Sequence, residues 1–168
     1  KDTVVTITPP ELGIQSVLFE GSTIDFGKGK TQIDRVEITA HFSGIKKTSP
    51  TKKVTLSDNH RTAMARSTYT VPVLNVYSYT ASYFQAGKNQ PVYTTPQIFS
   101  TKAMLPIHNA LQFGTVKFVG KGFEDKNVVA ISLTVGDDPA VQLMSGKKEN
   151  HEASYACGPG TQLITYKA

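Results

Sequence analysis

Gly27-Lys28-Gly29-Lys30-Thr31 is the first segment whose residue types could do chemistry. A phosphate-binding loop places a lysine and a hydroxyl after Gly-x-x-x-x-Gly, then starts a helix whose amides hold the phosphates. Gly29-Lys30-Thr31 supplies the end of that pattern, but position 24, where its first glycine belongs, is Ile24. The residues that follow, Ile33 to Phe42, alternate as a strand, so the segment reads as a glycine-rich turn. His151 precedes Cys157 by six residues. A thiolate–imidazole pair is set by the fold and not by such proximity. Cys157, the single cysteine, stands before Gly158-Pro159-Gly160 and reads as an inert thiol at the end of a strand.

Metal chemistry has little to work with. His41, His60, His108 and His151 show no His-x-x-x-His spacing, and one cysteine cannot build a thiolate zinc site. Glu124-Asp125 and Asp137-Asp138 offer oxygens of the kind calcium needs. Gly136-Asp137-Asp138-Pro139 is equally good turn chemistry, which is the preferred reading. The chain has no Gly-x-Ser-x-Gly nucleophile signature. No catalytic residue, metal ligand or cofactor is therefore expected. The one enzyme class left open is a hydrolase with carboxylates on separate strands, which leave no trace in a sequence.

Two segments have the chemistry of binding. Between Lys28 and Lys53 stand seven basic residues, Lys28, Lys30, Arg35, Lys46, Lys47, Lys52 and Lys53, against two acids, Asp34 and Glu37. This window accounts for the whole net charge of +5. Brought to one edge, these groups would attract phosphates or anionic lipid and glycan, with strong salt dependence. Lysine outnumbers arginine fifteen to three. Base readout favours arginine's bidentate fork, so sequence-specific nucleic-acid binding is not expected. The plainer reading is a solvated loop whose lysines guard a sheet edge. The second segment holds Tyr77, Tyr79, Tyr83 and Tyr93, four of the seven tyrosines. Alternation puts Tyr77, Tyr79 and Tyr83 on one face. Exposed, these rings would suit a sugar, a lipid interface or a protein partner; buried, they are core.

The elements that must position these groups are strands. Val36, Ile38, Ala40 and Phe42 alternate with Arg35, Glu37, Thr39 and His41, a strand with one wet face. Val129, Ile131, Leu133 and Val135 form a second such series, expected to be more deeply buried. Leu111, Phe113, Val116 and Phe118 change parity near Gly114, which predicts a bulge or bend there. Further strands are expected at Thr3 to Thr8, Gln15 to Phe19, Val54 to Leu56, Tyr69 to Val73, Val141 to Met144 and Gln162 to Tyr166. Turn residues separate all of them. Helical turns are expected only near Lys102 to Ala110, limited by Pro106.

The chain is thus expected to be all-β: residues 1–168 as a single antiparallel β-sandwich or barrel domain, with a jelly roll among the options. Its 168 residues are enough to bury a core. Hydrophobic residues at 39% and charged residues at 18% exclude disorder, and no apolar run reaches the ~18 residues of a membrane span. A first residue of Lys1 rather than methionine is read as a removed leader or a trimmed piece, favouring an extracellular, cell-surface or virion setting. By elimination, the expected function is that of a non-catalytic structural or assembly protein of the coat, tail, pilus or surface-layer type. Its partner would be a second copy or another protein. The alternative is a lectin-like, adhesive or pore-forming module that uses exposed tyrosines and a lysine-rich edge.

Overall fold

The computed structural model describes residues 12–42, 50–70, 76–123, 128–135, 139–144, 150–160 and 166–167. Thirteen strands run through them: β1 Leu12–Glu20, β2 Ile33–Phe42, β3 Thr51–Ser57, β4 Thr62–Thr70, β5 Tyr77–Gln85, β6 Tyr93–Thr94, β7 Ile98–Ser100, β8 Met104–Pro106, β9 Gln112–Val119, β10 Ala130–Val135, β11 Val141–Met144, β12 Asn150–Cys157 and β13 Tyr166–Lys167. No helix occurs among the described residues.

Two sheets pack face to face as a sandwich. The front sheet has the order β4-β1-β8 and the back sheet β3-β2-β5-β6, with β7 also paired to β5. The back sheet forms because β2 and β5 each offer an unbroken apolar face. Ile33, Val36, Ile38, Ala40 and Phe42 of β2 are fully buried, as are Tyr77, Ala81 and Tyr83 of β5. Their alternation with polar neighbours fixes the register, since a slip of one residue would turn every one of them to solvent. Val17 and Phe19 of β1 come from the front sheet to meet them. The Phe19 ring lies 5.6 Å from that of Tyr79 and 6.5 Å, edge-on, from that of Tyr77. Buried phenols need partners for their hydroxyls. Tyr77 donates to the carbonyl of Lys102 and Tyr83 to that of His108, each at 2.7 Å. These bonds tie β5 to the segment around β8.

The chain crosses from back sheet to front at the β3–β4 turn, where Ser57 and His60 exchange backbone bonds of 3.0 and 3.1 Å. Consequently β3 and β4 are edge strands, one in each sheet. The remaining strands form smaller units: β9 pairs with β12, and β10 with β11 and β13. Phe123, Leu133 and Leu143 make a second, smaller core, with Phe118, Val128 and Ile131 packed against it.

Several expectations are corrected. The sheets formed by the described residues do not close, so the sandwich and not the barrel option holds for them. The residues expected to turn as a helix near Lys102 to Ala110 contain β8, which pairs in parallel with β1. Every other pair of named strands among the described residues is antiparallel. Pro106 has no N–H to give to a ladder, and an edge strand tolerates that. No bulge occurs at Gly114, because β9 and β12 stay in register from Gln112/Cys157 to Val119/Asn150. The parity change has another cause: Phe113 packs on the large core and Phe118 on the small one. Val129 is 76% exposed and starts no buried face. The strand expected at Thr3 to Thr8 lies outside the described residues, as does that at Gln162 to Tyr166 except for its last residue.

Candidate functional site

The tyrosine segment is not a surface. Tyr77, Tyr79 and Tyr83 point between the sheets and are buried. Burial raises all three phenol pKa values, that of Tyr83 to about 12. Tyr93 is half-buried, its ring 6.2 Å from that of Tyr83. Gly158 also lies against Tyr93, where an added Cβ would come 2.2 Å from a ring carbon. Of the two readings of the aromatic series, core therefore holds, and the exposed-interface reading of Tyr77, Tyr79, Tyr83 and Tyr93 is corrected.

The five described basic residues of the window are not gathered at one edge either. Lys28 pairs with Asp34, and Arg35 pairs with Asp34 at 3.2 Å and Glu37 at 2.9 Å. The Arg35 guanidinium also lies 3.9 Å above the Phe84 ring. The hydrogen bond from Lys28 lowers the Asp34 pKa, with Arg35 adding to it and partial burial opposing it. Lys30 is exposed, and its carbonyl accepts from Gln85. Lys52 and Lys53 are exposed on edge strand β3, opposite Ala40 and Thr39. From Arg35 to Thr39 the strand rises about 13 Å, beyond the ~8 Å screening length of physiological salt. Lys28, Lys30 and Arg35 thus lie towards one end of β2, and Lys52 and Lys53 towards the other. Lys46 and Lys47 lie outside the described residues.

The other chemical motifs resolve simply. The Gly27 to Thr31 segment is a turn around Gln32, which donates to Asp25 at 3.3 Å and accepts from the Gly29 amide at 3.1 Å. That amide is therefore spent inside the turn, and β2 follows instead of a helix. His151 and Cys157 stand at opposite ends of β12, about 20 Å apart along the strand, so they form no thiolate–imidazole pair. Among the described residues no three His, Cys, Asp or Glu side chains gather as a metal site. Asp137, Asp138, Glu124 and Asp125 lie outside them. No helix among the described residues is long and apolar enough to cross a membrane.

Two surface features emerge that sequence reasoning missed. The first is an apolar row across the outer face of the front sheet. Leu18 of β1 stands opposite Met64 of β4 on one side and Met104 of β8 on the other. Met64 is 46% and Met104 56% exposed, and Ile14, further along β1, is 67% exposed. Arg66 shares this face with its Nε 2.8 Å from the Met64 sulfur. Glu20 shares it at the other end of β1. Nothing local in the sequence marks this row, because register alone joins residues 18, 64 and 104.

The second feature is a shallow hollow of about 300 Å³ where β2, β5 and β7 end side by side, with His41, Ser78, Gln97 and Phe99 among its lining. His41 stands opposite Ser78, and Ser78 opposite Phe99. Gln97 donates to the Ser78 hydroxyl at 2.7 Å, and His41 Nδ1 lies 3.2 Å from the Thr51 hydroxyl. Comparison of the chain with protein-family models, curated proteins and solved structures returns no match.

Proposed function

We propose that this chain is a non-catalytic assembly subunit of the coat, tail, pilus or surface-layer kind, working in a particle or outside the cell. Its partner in this reading is a second copy of itself. The observation that carries the reading is the Met64–Leu18–Met104 row, an apolar band across a sheet face with no other layer of described residues over it. Exposed contiguous apolar surface marks interaction sites more often than chance.

The face is also self-complementary. A two-fold axis along the row would set two front sheets face to face with Met64, Leu18 and Met104 each meeting its own copy. The same operation carries Arg66, two residues beyond Met64, to the end of the sheet that holds Glu20, two residues beyond Leu18. Opposite charges then approach across the interface, as an isologous contact requires. Lys52 and Lys53 on β3 support a face contact over an edge contact, since exposed lysines on an edge strand oppose strand addition. The front face spans three strands about 4.8 Å apart and nine residues of β1, roughly 400 Å². That is about half of a standard partner surface, so association by this face alone is expected to be weak and concentration-dependent.

Sedimentation velocity from low micromolar to submillimolar concentration tests the reading. Self-association should grow with concentration and be lost in a Met64→Lys, Met104→Lys double variant. Arg66→Glu should weaken it, and Glu20→Arg should restore it in the Arg66→Glu background. A monomer across the whole range, or association untouched by the double variant, would overturn it.

A further inference from the structure

We propose that the hollow between β2, β5 and β7 is a binding site for a neutral saccharide. It lies on the outer face of the back sheet, on the other layer from the Met64–Leu18–Met104 row, and does not depend on that row's role.

A pyranose ring has an apolar C–H face and a rim of hydroxyls. A site for it needs an uncovered aromatic face beside fixed polar groups that can both donate and accept. Phe99 supplies the first: it is 71% exposed although held in a strand, where its ring cannot fold back into the core. The polar groups stand beside it in one row, His41, Ser78 and Phe99 on adjacent strands. Ser78 is 5% exposed, so its hydroxyl is fixed by burial as well as by its bond from Gln97. That bond orients the Gln97 amide and leaves its carbonyl oxygen and second N–H for a ligand. On His41 the contact with Thr51 engages Nδ1 and leaves Nε2. Amide, imidazole and hydroxyl together match the alternating donor and acceptor demands of sugar hydroxyls.

The charge pattern sets the ligand class. Among the described residues the lining contains no Asp, Glu, Lys or Arg, so none of them would offset the cost of desolvating an ionic ligand. The volume is at the lower end for small-molecule sites, which suits one sugar ring on an open shelf and weak affinity.

The test is amide and side-chain NMR of the full chain titrated to high millimolar with methyl β-D-glucopyranoside, methyl β-D-galactopyranoside and methyl α-D-mannopyranoside in turn. At least one should shift the signals of Ser78, Gln97, Phe99 and His41 and leave the Leu133 region unmoved. Phe99→Ala should weaken that binding about tenfold, Gln97→Ala should also weaken it, and Phe99→Tyr should retain it. Phe99 and Gln97 are exposed, so these variants keep the fold, which an unchanged spectrum elsewhere verifies. No shift with any of the three glycosides, shifts confined to other residues, or full binding by Phe99→Ala would overturn the proposal.

Discussion

The sandwich of β1 to β8 and the strands that follow it use the same alternation to different depths. Among the described residues, the large core joins eighteen buried side chains from both sheets, and the second core only three. In β2 every inward side chain is sealed by an opposing layer. Among the described side chains of β10 only Leu133 is buried, while Ile131 is half-exposed and Ala130 exposed. The difference lies in what covers the strand. A strand's apolar face gains its stability only when a second layer removes it from water. β9 touches both regimes, with Phe113 on the large core and Phe118 on the small one. The stability of the molecule should therefore be concentrated in the sandwich, with the β10–β11 unit opening more easily.

The strongest way to break that contrast is Phe19→Ala. Phe19 is fully buried between Tyr77 and Tyr79. Its removal should cost about 4 kcal/mol, read as a lowered midpoint of urea unfolding with the slope unchanged. A loss below about 2 kcal/mol would mean that the sandwich is not the denser region.

Alkaline pH attacks the same core. The Tyr83 phenol has its pKa raised to about 12 by burial, against about 10 in an unfolded chain. A raised folded pKa means that stability is fully present below about pH 10 and is lost as pH climbs through about 12. A shift of that size corresponds to about 3 kcal/mol. Unfolding free energy followed from pH 9 upward should fall across this window, and Tyr83→Phe should flatten the fall. A fall of equal size in Tyr83→Phe would place its cause elsewhere.

Leu133→Ala probes the thin core directly. The expected cost is about 2 kcal/mol, the low end for such a truncation, because half-exposed neighbours can close over the gap. Its mark is locality. Hydrogen exchange should speed up in β10 and β11 while the amides of β2 and β5 stay protected. If β2 and β5 lose protection equally, the two cores are one cooperative unit and the contrast is gone.

The same contrast explains what could be read from the sequence. β2 and β5 were legible because an opposing layer demands large apolar groups at every second position. β4 was legible only at its C-terminal end. Its inward residues are Ala63, Ala65 and Ser67, small enough to sit under the front sheet and too weakly apolar to form a pattern. β12 is legible only at its end, Cys157 before the Gly158 turn, for the same reason, with Ala153 its only buried apolar side chain. β8 was mistaken for a helical turn because Met104 to His108 suits either state; pairing with β1, 86 residues earlier at Leu18, decides it. The candidate sites were less legible still. Tyrosines and lysines stood out by type, yet burial removed the first from the surface and strand geometry dispersed the second. The apolar row and the hollow depend on registers between distant strands, which no local pattern encodes.

The smallest expected effect concerns the charged corner of the sandwich, and it asks whether the dense region owes anything to charge. Asp34 receives Lys28 and Arg35, and its lowered pKa means that it favours folding when ionised. That contribution is fully present above the ordinary aspartate value of about 3.9 and is lost as pH falls through the lowered folded value. The Lys28 side chain is 84% exposed, so water and salt screen most of the attraction. Arg35 keeps Glu37 and the Phe84 ring when Asp34 is neutralised. Asp34→Asn should therefore cost about 0.5 kcal/mol at neutral pH and low salt, and less still at about 1 M salt, where the screening length shrinks to about 3 Å. Acid unfolding should become slightly less steep below about pH 4. A salt-independent loss of more than about 2 kcal/mol would show that this corner, and not the tyrosine-lined interior alone, holds the back sheet in register.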